Sequence, residues 1–232
     1  MKYSRVRAVR LLVIGLTLLL ARRTLAHRED YIDETLVFQT VQQHAIEPEY
    51  WFDYGTRPGT DFTRHHVALE YGITSHLMLD GRATVEDPSN DDANFDSARL
   101  EIRSRFAEEG DWPIDVAVSA EANTRRLENG HYEYGVEPRL ILSKDVAKLN
   151  FTLNVAEELP VNRGTPGLGV ASGTRYDVTE LFRFGSELKY DVHERSGAIV
   201  PQIWLALPHE VRSRPDTQKV SISITKTSCA WR

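Results

Sequence analysis

The sequence predicts an all-β fold: a single up-and-down antiparallel transmembrane β-barrel of about ten strands, within a range of eight to twelve. Three observations predict it. Apolar and polar residues alternate with a period of two from residue 48 onward. The stretches between the alternating segments are by turns short and long. An apolar leader of the kind that directs export stands at the N-terminus.

The leader is residues 1–26. Lys2, Arg5, Arg7 and Arg10 precede the apolar run LLVIGLTLLLA, which is too short to span a bilayer as a helix, and TLA ends on the small residue Ala26. This order reads as a signal peptide, with an N-terminal membrane anchor as the alternative. Its six basic residues are matched by no acidic one, so setting it aside moves the formal charge from −6 to −12. A chain this acidic is a poor candidate for binding nucleic acid. Cys229 is the lone cysteine, so an intrachain disulfide and a cysteine zinc site are both excluded. Residues 27–47 are expected to form a periplasmic extension or a segment folded inward, and residues 48–232 the barrel.

Strands are expected to begin near 48, 62, 76, 98, 114, 132, 148, 180, 198 and 218. In seven of them one row is plainly apolar: Tyr50, Phe52 and Tyr54; Val67, Leu69 and Tyr71; Leu100 and Ile102; Val116 and Val118; Leu140 and Leu142; Leu149, Phe151 and Leu153; Phe184 and Leu188. Pro138 and Pro201 fall inside such stretches. Each removes one ladder donor, which places them at bulges or near strand ends. GTRPGTD, DPSNDDANFD, TRRLENGH, ELPVNRGTPGLGVASGTR and PHEVRSRPDT read as long connections; GITS, AEEGDW, KDVA and HERSG read as short ones. Membrane barrels alternate tight periplasmic turns with longer outer loops in this way.

A soluble barrel points its apolar row inward, whereas a membrane barrel points it at lipid and fills its lumen with polar groups. The leader, the alternating connections, strands of about ten residues and aromatic residues near strand ends favour lipid outside. The charged row then lines the lumen as a salt-bridge network of Arg64, Glu70, Asp80, Arg82, Arg99, Glu101, Arg103, Arg105, Asp115, Glu121, Glu137, Arg139, Glu187 and Lys189. Mixed signs in a narrow tube are expected to pair, because an unpaired buried charge costs several kcal/mol.

With its leader, its alternating segments from Glu49 to Thr225 and stretches such as EYWFDYG, RHHVALEYGIT and LILSKDVAKLNFTLN, the chain resembles small Gram-negative outer-membrane β-barrel proteins. The resemblance implies residence in the outer membrane, contact with its lipid, insertion by the outer-membrane assembly machinery, and a structural or narrow-channel role, with a small solute as a possible cargo. Such chains usually end on an aromatic residue; here Trp231 is penultimate and Arg232 last.

No motif points to catalysis or to a cofactor. His65 and His66 are adjacent and face opposite sides of a strand, so they do not share a metal. His66 and His76 are the weak metal candidates, with Glu70 or Asp80 as helpers. His27, first after cleavage, is a weak amino-terminal copper candidate. Ser119 with either histidine has the residue types of a hydrolase but no signature, and a small polar lumen residue is the plainer reading. RGTPGLGVASG reads as a surface loop and SNDDANFD as a solvated acidic one. Two other readings remain: a soluble exported barrel that holds an apolar ligand, with Leu100, Ile102 and Val116 inside, and a barrel-embedded enzyme acting on lipid.

Overall fold

A computed structural model describes residues 31, 35–57, 59–127, 129–162, 164–179, 182–206, 221–223 and 229–231. The expected leader and His27 lie outside them. Ten long strands follow one another: β1 (Ile46–Arg57), β2 (Thr60–Thr74), β3 (Leu77–Pro88), β4 (Asn94–Arg105), β5 (Asp115–Arg126), β6 (Tyr132–Val146), β7 (Leu149–Pro160), β8 (Gly167–Asp177), β9 (Phe182–Asp191) and β10 (Ser196–Ala206). Each pairs antiparallel with the next in one up-and-down sheet. Two short strands, β11 (Ser221–Ser223) and β12 (Cys229–Trp231), pair with opposite ends of β10, and β11 approaches β1.

The sheet is curled into a half-barrel, and the segment before β1 shows how tightly. Thr35 bonds to Glu187 on β9, Leu36 to Asn154 on β7 and Val37 to Arg103 on β4. Across a flat sheet, β4 and β9 would lie about 24 Å apart, five steps of about 4.8 Å. The Cα atoms of residues 35 and 37 are at most about 7 Å apart. Only a concave sheet brings both strands to one short segment.

The two faces are chemically opposite. Leu100 is 57% exposed, Leu153 37% and Leu188 43%, while Arg103 and Glu187 are 0% exposed. Apolar residues follow one another through the ladders on the convex face. One row runs Ile46, Tyr71, Leu79, Ile102, Ala120 and Pro138. Another runs Val118, Leu140, Val155, Val170 and Tyr190. The charged residues sharing this face, Asp61, Asp87, Arg126, Lys144 and Glu157, lie toward strand ends. An arrangement with Leu100 and Ile102 inside a closed apolar core does not occur; both are exposed.

The strand boundaries correct the sequence reading in three places. The stretch Gly167–Asp177, expected within a long loop, is the full strand β8. Its glycines depress strand propensity, but at Gly173 a Cβ would run into the end of the Tyr31 ring, so glycine lets the ring sit there without shifting. The strand expected near 218 is described only as the three-residue pieces β11 and β12. The connections do not alternate as expected either. β1 ends at Arg57 and β2 begins at Thr60, where a longer connection is expected, and Gly59 is at φ 90 in the left-handed region. Residues 106–114, expected to be short, form the longest connection among the ten strands. That loop is ordered by Phe106 stacked on Trp112 and by Glu108 paired with Arg105.

Pro138 sits in mid-strand on the convex face. The β6–β7 ladder runs through Val136↔Leu159, skips Glu137 and Pro138, and resumes at Arg139↔Ala156, so the missing N–H falls where that ladder is open.

Candidate functional site on the concave face

Strand registers align one carboxylate from each of six consecutive strands. Glu47, Glu70, Asp80, Glu101, Glu121 and Glu137 are successive ladder partners from β1 to β6. Like charges directly opposite one another repel. Arginines two residues away relieve this, because residues i and i+2 share a strand face. Arg82 pairs with Asp80 at 3.2 Å and Arg103 with Glu101 at 2.8 Å, while Arg139 pairs with Glu137. Arg99 reaches across from β4 to Glu121 at 3.6 Å. Four of the six carboxylates, Asp80, Glu101, Glu121 and Glu137, thus have an arginine beside them, in a region where Glu70, Asp80, Glu101 and Glu121 are all buried. Glu47, assigned by sequence to the N-terminal extension, belongs to β1 and to this row.

Other charged residues expected in the lumen have different partners. Arg64 pairs with Glu86 at 3.1 Å near the far end of β2 and β3. Arg105 turns to Glu108 and donates to the Ser75 carbonyl. The Asp115 carboxylate accepts the Gly110 N–H and so fastens the 106–114 loop. Lys189 is opposite Ala171 and Ala198, away from the acidic row. Glu187 accepts from the Thr35 N–H at 2.6 Å, the Thr35 hydroxyl at 2.7 Å and Gln202 Nε2 at 2.8 Å.

The N-terminal segment is a second component of this face. Asn154 Oδ1 accepts the Leu36 N–H at 2.7 Å, and its Nδ2 donates to the Leu36 carbonyl at 3.0 Å. Arg103 Nη1 donates to the Val37 carbonyl at 3.1 Å. Side chains alternate between two small apolar seats. Leu36 and Phe38 cluster with Ala117 and Ile141 of β5 and β6, whereas Val37 clusters with Tyr31 and Trp204 of β10. Further along, His44 N–H donates to the Gly72 carbonyl at 2.7 Å and Gly72 N–H to Ala45 at 3.1 Å. A Cβ on Gly72 would stand 2.0 Å from the Gln42 carbonyl oxygen.

Sequence reasoning missed several of these groups. Arg175, fully buried with its guanidinium 5.7 Å from both the Tyr31 and Trp204 rings, lay in the supposed loop. Ala117, Ile141 and Trp204 are apolar residues in the polar row, and that breach of the alternation was the available signal for something apolar seated on this face.

The structure separates the residues weighed for metal or catalysis. His65 and His66 do face opposite ways: His65 meets Tyr50 on the convex face, and His66 bonds to Asp53 and Thr84, each at 2.9 Å, on the concave one. His76 lies in the 75–76 turn beside Glu108. Ser119 is opposite Arg103 and Arg139, three strands from His66. Among the described residues there is no group of three or more His, Cys, Asp or Glu side chains arranged to hold a metal.

Comparison of the chain with models of known protein families gives no match. Comparison with curated proteins likewise gives no match.

Proposed function

We propose that the chain is an outer-membrane β-barrel protein whose charge-filled interior carries a structural or narrow-channel role for small solutes, without catalysis. The observation that carries the reading is the exposure of the convex leucines beside the burial of Arg103 and Glu187. In water, apolar patches larger than a few hundred Å² are rare on monomers. In a bilayer, an outward apolar band above a polar interior is what a barrel needs. The connected rows from Ile46 to Pro138 and from Val118 to Tyr190 supply such a band.

The interior limits what passes. Arginine and carboxylate side chains pair across the concave face, and residues 35–41 occupy space beside them, so any water path is narrow. On this reading the leader directs export, the assembly machinery inserts the barrel, and lipid is the partner of the convex face. Fractionation of cells making the full chain tests it. Recovery with the outer membrane, and gel mobility that shifts on heating, are expected; recovery in the soluble periplasm overturns it. A planar-bilayer recording then distinguishes a narrow conductor from a structural barrel.

A further inference from the structure

The concave face recognises the N-terminal segment through its backbone. Three successive residues are held by main-chain groups: the Thr35 N–H by Glu187, the Leu36 N–H and carbonyl by Asn154, and the Val37 carbonyl by Arg103. Every polypeptide offers these groups. The side chains that follow are received alternately on opposite walls, as the two faces of an extended strand require. Bare backbone at Gly72 and Gly173 makes room for the segment at both of its ends.

The lining is also suited to losing its occupant. A wall meant only for permanent filling is stabilised at least as well by apolar residues, since buried charges must be desolvated. Here the apolar seats are small, and the groups that hold the main chain are a carboxylate, an amide and a guanidinium, all of which water can serve once the segment leaves. We propose that the concave face is a binding groove for extended polypeptide, that residues 35–41 are its resident occupant, and that a second polypeptide with three successive apolar residues takes the groove when that occupant departs. The proposal is independent of whether lipid or water covers the convex face.

The test uses the full chain with a protease site inserted between His44 and Ala45. After folding and cleavage, a fluorescent peptide with the sequence of residues 31–43 is added and its retention by the barrel is followed by anisotropy. Saturable entry is expected, with release of the unlabelled segment. Asn154→Ala should weaken retention about tenfold, through loss of two hydrogen bonds to Leu36. A peptide with serine in place of Leu36, Val37 and Phe38 should not be retained. Exclusion of the label from a folded, cleaved barrel overturns the proposal, as does equal retention of the serine peptide. Should the cleaved chain unfold, hydrogen exchange on the uncut protein decides the matter. The Thr35 and Leu36 amides should exchange through a local opening, faster than the amides of the β6–β7 ladder; exchange only on global unfolding overturns the proposal.

Discussion

Asn154 holds both main-chain groups of Leu36, accepting its N–H at 2.7 Å and donating to its carbonyl at 3.0 Å. The same Oδ1 accepts from Arg139 Nη1 at 3.1 Å, and Arg139 is the partner of Glu137. The amide of one residue therefore joins the charged row to the segment inside the half-barrel. Replacing Asn154 with alanine strands a buried N–H and C=O, which costs about 1–3 kcal/mol. Limited proteolysis of the Asn154→Ala protein should cut within residues 35–45 before it cuts the strands, whereas the parent protein should resist at both.

Glu101 and Arg103 are buried together on β4, 2.8 Å apart. Arg103→Met leaves a carboxylate in the acidic row without this cation and removes the bond to Val37, a loss of about 3–5 kcal/mol. The double variant Glu101→Gln with Arg103→Met removes both charges and should recover part of that loss. Equilibrium urea unfolding of the three proteins checks it: a double variant no more stable than Arg103→Met would contradict the pairing.

Gly173 lies directly beneath Tyr31. Gly173→Ala should cost about 1–3 kcal/mol through overpacking. Adding Tyr31→Leu to that variant should recover stability, because the clash is with the ring. Thermal unfolding of the single and double variants gives the comparison.

The convex face was the most legible part of the sequence, since a period of two in Leu100, Ile102, Leu153 and Leu188 assigns a side to every residue in a strand. The acidic row was half legible. Glu70, Asp80, Glu101, Glu121 and Glu137 could each be assigned to the polar face, yet their common level depends on hairpin register, and register depends on turn lengths that the sequence left open. The short β1–β2 connection and the nine-residue loop at 106–114 are not legible in the sequence, because Gly59 permits a tight reversal, while Phe106 and Trp112 order a long one. Strand β8 is hard to read because three glycines lower its strand propensity, and one of them, Gly173, answers to Tyr31, which is more than a hundred residues away in the chain. Long-range packing of that kind leaves no local pattern.

An arginine on the convex face separates lipid from water as the outer solvent. Leu188→Arg should lower stability in vesicles by about 2–4 kcal/mol if position 188 lies near the bilayer midplane. The same substitution on a water-covered face costs little. Folding titrations in lipid vesicles read the difference.

The claim on which the account chiefly depends is that hydrocarbon covers the convex face. Single tryptophans are introduced at positions 100, 153 and 188 of the refolded chain in vesicles, each in a background where the native tryptophans are phenylalanine. Quenching by lipids brominated on their acyl chains is then compared with quenching by aqueous iodide. Strong bromine quenching with weak iodide quenching at all three positions is the predicted result. Iodide quenching without bromine quenching at these positions would contradict the account.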